Sequence, residues 1–305
     1  MPDRVQQVVK TSDEPKMRLC RFNNNQLGFV QNATVTDVTA ALSILPIFRY
    51  PLPENDVLIE NLLAVRMEVE RLLEADADLP QYALDDVQLL SPIANPGKVI
   101  AAPVNYLKHL QEAREDKAIH HQNQIGEIQR VGLFLKASSS VVGPTAGVGI
   151  ARPDRRNDHE IELVAVIGKT GRDIKVEEAL SHVAGYCVGL DMTVRGPEER
   201  SLRKSPDGYT VLGPYLTTAD EIDRIDNQEL EIIVNGEVRQ RANTCDLIMN
   251  VASLISFASA FYTLYPGDVL MTGTPEGVSE VLPGDVMIAQ IGELGSMTVT
   301  VRARP

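Results

Sequence analysis

The sequence predicts an α+β chain that is mainly β, with a small N-terminal α+β domain over residues 1–90 and a larger, mostly β domain over 91–305. Three observations predict it. Residues 57–75 carry helical periodicity, with Leu58, Leu62, Val65, Val69 and Leu72 on one face. From Pro96 onward the chain becomes short apolar runs broken by Gly and Pro. Asn235-Gly236, Pro266-Gly267 and Pro283-Gly284-Asp285 supply tight turns between those runs.

Taken in order, residues 1–16 are polar and read as a loose leader. Strands are expected at 17–22 and 27–30 around the turn 23–26, then the helix at 57–75 and a linker strand near 85–90. In the second part, strands are expected at 99–101, 132–135, 162–167, 187–190, 229–234, 269–271, 286–290 and 297–301. Helices are expected at 176–181 and at 246–262, the latter with Leu247, Val251, Leu254, Phe257, Ala258 and Phe261 on one stripe. No repeat, heptad or low-complexity segment interrupts this pattern.

Composition narrows the function. The 305 residues carry a net charge of −13 and no Lys/Arg-rich block, which argues against a nucleic-acid partner. No apolar run is long enough to predict a membrane span. The first ten residues lack the apolar core of a signal peptide. Cys20, Cys187 and Cys245 match no metal or disulfide spacing, so a reducing cytoplasm is the expected location. Cys187 sits in an apolar run and reads as a packed small hydrophobe.

The chemistry concentrates at 158–195. Glu160 and Glu162 alternate with apolar residues in a β-rich run, so both side chains leave one face of a strand. Taken alone, such a pair fits a solvent-facing strand. However, 161–167 is almost continuously apolar, and a carboxylate inside a buried strand is costly unless paired or on a metal. Asp191 ends a second apolar run and can close the set from a neighbouring strand. Three carboxylates without Cys or His suit a hard cation: Mg²⁺, or Mn²⁺ or Ca²⁺.

A second constellation precedes it. His109 and Glu112, three apart, meet on one helical turn. The pair fits a carboxylate-oriented general base or a solvated surface pair equally well.

The order of motifs is more specific. Asn105-Tyr106-x-x-His109-x-x-Glu112 comes first, then Leu133-Phe134-Leu135-Lys136 and His159-Glu160-Ile161-Glu162-Leu163. Leu190-Asp191-Met192-Thr193-Val194-Arg195, Arg203-Lys204-Ser205-Pro206-Asp207 and Thr272-Gly273-Thr274-Pro275-Glu276-Gly277 follow. Over residues 96–301 the series resembles the fumarylacetoacetate hydrolase family. The resemblance implies a mixed β-sandwich roll with one divalent cation, usually Mg²⁺, on Glu160, Glu162 and Asp191. It implies His109, Glu112 and Lys204 as catalytic residues, and Tyr106, Lys136, Arg195 and Thr274 as substrate-binding ones. Internal ion pairing fits Arg195 and Lys136 equally well. Lys204 also reads as a surface lysine and Thr274 as a turn residue.

A small 2-keto or β-diketo acid is the implied substrate, a homodimer the implied assembly and aromatic-compound catabolism the implied setting. Hydrolysis of a C–C bond in an acylpyruvate such as fumarylpyruvate leads. Decarboxylation of oxaloacetate-like acids and tautomerisation of hydroxymuconate-type acids are the alternatives, and a non-catalytic metal-binding scaffold ranks last. Two departures from the family pattern stand out. Residues 113–131 form a longer polar segment with His120 and His121, read as a lid or a surface insertion. Leu190 replaces the Asn that many hydrolase members carry before the ligand Asp, which tilts the expectation towards small 2-keto acids.

Overall fold

The computed structural model describes residues 16–75, 78–120 and 126–304. The leader expected over 1–16 falls outside them except for Lys16, as do His121 and the side chain of His120.

Two packed sheets form the body, and both mix parallel with antiparallel pairing without closing into a barrel. The larger has 12 strands. From its middle to one edge it runs, side by side, through Thr210–Thr218, Val183–Asp191, Ile161–Ile167, Val269–Met271, Val99–Ala101 and Phe134–Lys136. The smaller has 5 strands and contains Glu229–Val234, Val286–Ile291 and Gly295–Ala303. Three short strands, among them Asn157–His159, form a third sheet beside the site.

Strand Ile161–Ile167 shows why the larger sheet is buried on both faces. All seven of its residues are buried. Ile161, Leu163, Ala165 and Ile167 pack with Leu230, Met287 and Val299 of the smaller sheet. Val164 and Val166 point the other way, into a cluster with Leu62, Val65 and Val69. Both faces therefore call for apolar residues, and the strand reads as an apolar run interrupted only by Glu162.

The N-terminal segment joins this sheet. Arg18–Phe22 pairs antiparallel with Thr210–Thr218, and Leu89–Leu90 pairs back onto Arg18–Phe22. Segments 1–90 and 91–305 thus share a sheet and a core cluster.

Helices depart from expectation at their ends. The one expected over 57–75 is two pieces, Val57–Glu60 and Leu62–Ala75. Buried Asp56 starts the first by accepting from the Leu58 and Ile59 amides at 3.0 and 3.1 Å. The expected helix 246–262 is Val251–Phe261 instead, because Asn250 caps it by accepting from the Ser253 amide at 2.9 Å. Its buried stripe runs through Val251, Leu254, Ile255 and Ala258, while Phe261 is exposed. The helix expected over 176–181 is the short α-helix Val176–Ala179, continued by the 3₁₀ turn Leu180–His182.

Candidate active site

The pairing of two strands assembles the acidic group. Ile161–Ile167 runs antiparallel to Val183–Asp191, with Ile161 opposite Leu190 and Glu162 opposite Gly189. The Asp191 amide donates to the Glu160 carbonyl at 2.9 Å. Glu160 and Glu162 continue the Val164/Val166 parity past the end of the apolar strip, and Asp191 arrives beside them. One oxygen from each of the three lies within 4.8 Å of the others, and all three residues are buried.

Their partners are unequal. Lys204 Nζ bridges Glu160 and Asp191 at 2.6 and 2.5 Å. Arg195 donates to Glu160 at 2.9 Å and to Asp158 at 2.7 Å. Lys136 Nζ donates to Asp191 at 2.5 Å and to the Tyr209 carbonyl at 2.7 Å. Glu162, 1% exposed, accepts from the Gly273 amide at 2.7 Å and has no ion pair among the described residues.

Titration follows this asymmetry. Burial pushes the Glu160 carboxyl up, but Lys204, Arg195 and His109 outweigh it and hold it far below the ordinary range. Burial, helped by the charge of Asp191, pushes Glu162 well above its ordinary value. Burial opposes the charge of Lys204, yet Asp191, Glu160 and Glu162 raise its affinity for the proton. A divalent cation fits this set. The donors are hard oxygens, and a cation among them would give Glu162 the counterion it lacks.

His109 of the His/Glu pair faces the same cleft as Glu160, whereas Glu112 lines a neighbouring depression with Lys108 and Glu276. His109 lies on helix Leu107–Glu115, with Nδ1 2.8 Å from Glu112. The other Glu112 oxygen accepts from the Gly277 amide at 3.0 Å. Gly273 and Gly277, at φ +96 and +93°, sit in the left-handed region. Both donate their amides to site carboxylates, which is why this turn is built around glycine. A cleft of about 490 Å³ is lined by His109, Glu160, Arg195, Lys204 and Thr274 together with Ile119, Arg200 and Arg203. Thr274 accepts from Gln240 at 2.8 Å, and Gln240 also takes the Ile161 amide, tying the turn to the acidic strand.

Tyr106 and Lys136 are not on the wall of this cleft. Lys136 is sealed behind Asp191, its side chain 0% exposed. Tyr106 lines a neighbouring depression with Cys245 and Asp246, and its hydroxyl has no partner among the described residues. In segment 113–131, Ile119 and Ile128 are buried, and Asp116 is bonded by Arg156 at 3.0 Å.

Sequence reasoning missed Asp158 as a site residue. It is 0% exposed and receives Arg156 and Arg195, each at 2.7 Å. The signal was present, since Asp158 precedes Glu160 by two and shares its face. Gln240 carried no such signal, because only folding brings it from a distant hairpin.

Comparison with known proteins identifies the family. The family described as fumarylacetoacetate (FAA) hydrolase C-terminal matches residues 98–302. A maleylpyruvate hydrolase of Aquipseudomonas alcaligenes is 56% identical over 289 residues, covering 94% of this chain and 100% of that protein. A mitochondrial oxaloacetate tautomerase of Rattus norvegicus is 33% identical over 95% of this chain and 93% of its own length. The crystal structure of a maleylpyruvate hydrolase from Sphingobium sp. SYK-6, in complex with manganese(II) and pyruvate, superposes with a TM-score of 0.79. It is 37% identical and covers 95% of this chain and 100% of that one. The chain belongs to the fumarylacetoacetate hydrolase family.

Proposed function

We propose that this protein is a divalent-metal-dependent hydrolase that cleaves a C–C bond in an acylpyruvate-type β-diketo acid. Maleylpyruvate is the first substrate to test, given the 56% identical relative. One observation carries the reading: His109, held by Glu112, and Glu160 of the carboxylate cluster line one cleft.

Glu160, Glu162 and Asp191 are the proposed metal ligands, with Mg²⁺ or Mn²⁺ the proposed ion. When bound, that ion supplies Lewis-acid polarisation of the substrate's 2-keto acid end. The other roles belong to the chain. Glu112 engages Nδ1 of His109, which leaves Nε2 to take a proton from water. The hydroxide so formed attacks the distal carbonyl, where Lys204 and Thr274 stabilise the developing negative charge. The C–C bond then breaks, its electron pair goes to carbon 3 of pyruvate, and that carbon takes up a proton. Arg195 is proposed to orient both Glu160 and the substrate, and Lys136 to hold Asp191 from behind. Tyr106 is proposed to act on substrate only through the neighbouring wall.

The tautomerase relative supports a second reading in which the same site isomerises or decarboxylates an oxaloacetate-like acid. Products separate them. Acetylpyruvate, maleylpyruvate, fumarylpyruvate, oxaloacetate and a hydroxymuconate-type diacid are incubated with and without Mg²⁺. Pyruvate with a carboxylic acid and no CO₂ supports hydrolysis. Pyruvate with matching CO₂, or an isomer alone, replaces it.

We further propose a homodimer acting in the cytoplasm during aromatic-compound catabolism. Supporting the dimer, Ile47 and Tyr50 are each 97% exposed and Leu52 73%, an apolar stretch suited to cover by a second copy. No helix among the described residues is long and apolar enough to cross a membrane.

A further inference from the structure

The reaction proposed above leaves one charged group of the cleft wall without a task. Arg200 lines the same cleft as His109, Glu160 and Thr274. It is half-buried, and none of the described residues hydrogen-bonds or ion-pairs with its guanidinium. The other cations there are engaged. Arg195 holds Asp158 and Glu160, and Lys204 holds Glu160 and Asp191. Arg203 donates to the carbonyls of Glu198 and Val194 at 2.8 and 3.2 Å.

The nearby acids are engaged as well. Glu198 is gripped by both terminal nitrogens of Arg155, at 2.9 and 2.7 Å. Glu199 accepts from the Ser201 amide at 2.6 Å as the cap of the short helix Arg200–Lys204. Arg200 therefore keeps a charge without a hydrogen-bonded counterion in a concave wall, where burial disfavours its ionisation most and the charges of Glu160, Glu199 and Asp191 offset only part of that.

Its position is suited to a substrate. Arg200 and Lys204 stand over the Phe134 ring, 5.3 and 5.4 Å from its centroid. The two cations are thus separated by no more than those lengths laid end to end. An anion on Arg200 lies within one small molecule's span of the carboxylate cluster. A guanidinium presents two parallel donors that match a carboxylate.

We propose that Arg200 is a specificity-determining residue that binds a second carboxylate at the far end of the acyl group, so that the preferred substrate is an acylpyruvate diacid. This rests on the hydrolase reading for the chemistry and on the cleft alone for the binding. A neutral acyl group leaves Arg200 desolvated and unpaired, and sites of that kind reject the wrong substrate strongly.

Two measurements test it on the Mn²⁺-loaded protein. In kinetics, R200Q is expected to raise KM for maleylpyruvate about ten- to a hundredfold while leaving acetylpyruvate turnover unchanged, with R200K restoring part of the loss. Equal loss on both substrates, or an unchanged KM for maleylpyruvate, overturns the proposal. In calorimetry, 2-oxoadipate is compared with 2-oxohexanoate, which lacks the distal carboxylate. The unmodified protein is expected to prefer the diacid and R200Q to lose that preference. No preference, or one that survives in R200Q, overturns the assignment. If no acylpyruvate turns over while the diacid preference depends on Arg200, the reaction is misassigned and the Arg200 subsite stands.

Discussion

Replacing Glu162 with Gln removes one charge and almost no shape, and it is expected to change stability in opposite directions without and with metal. In the metal-free protein Glu162 is a buried carboxylate that lacks a cationic partner and faces the charge of Asp191. Removing that charge recovers about 1–3 kcal/mol of desolvation and repulsion. Part is lost again, because the Gly273 amide then donates to a neutral oxygen, which weakens that bond by about 1 kcal/mol. The net gain is about 0–2 kcal/mol, or at most a few degrees in Tm for a chain of this size.

Cation binding reverses the order. At a hundred times Kd, Mg²⁺ or Mn²⁺ stabilises the unmodified protein by about 2.7 kcal/mol, and E162Q is expected to gain little of this. Urea unfolding followed by far-UV circular dichroism and tyrosine emission reads both, since the chain has 8 Tyr and no Trp. If E162Q gained as much from the cation as the unmodified protein, Glu162 would not be a ligand. If metal-free E162Q were the less stable protein, Glu162 would not be uncompensated. The pH sign is also set. A carboxyl raised above its ordinary 4.5 contributes most at low pH, and that contribution fades as pH rises through the folded value. Metal-free E162Q should lack this slope.

The remaining predictions are these. His109→Ala is expected to lower kcat about 10²- to 10⁴-fold while keeping cation-induced stabilisation, and parallel loss of metal binding would contradict a base role. Lys136→Met is expected to destabilise by about 3–5 kcal/mol in urea unfolding. It strips Asp191 of a fully buried partner, and a change below about 1 kcal/mol would mean Lys204 alone balances Asp191. Residues 91–305 expressed alone are expected to aggregate. Removing 1–90 frees the edge of Thr210–Thr218 and uncovers the Val164/Val166 face, and a soluble, cooperatively folding fragment would show the division to be a true folding boundary.

Much of the molecule was legible in the chain because its signals are local. Period-two alternation put Glu160 and Glu162 on one face, and the near-continuous apolar run after them marked a strand buried on both sides. Strands 99–101, 229–234 and 269–271 were readable to the residue, since the turn-forming residues Gly, Pro, Asn and Asp bound them. The helix beginning at Val251 was misjudged at its start, because the choice between capping at Asn250 and continuing upstream is a competition of a few tenths to about 2 kcal/mol.

By itself, the sequence determined the residue types, their period and the order of motifs, and hence the family, the hard-oxygen character of the carboxylate set and the mainly β architecture. Tertiary structure decided what each polar group faces. It put Asp191 across a strand pair from Glu160, sealed Lys136 behind Asp191 and left Arg200 open to the cleft. It also made Glu162 the carboxylate of the three without an ion pair among the described residues. The physical reason is that periodicity acts over a few residues, whereas electrostatic partnership is settled between residues far apart in the chain. Glu160 and Lys204 are separated by 44 positions, and Gly273 meets Glu162 across 111.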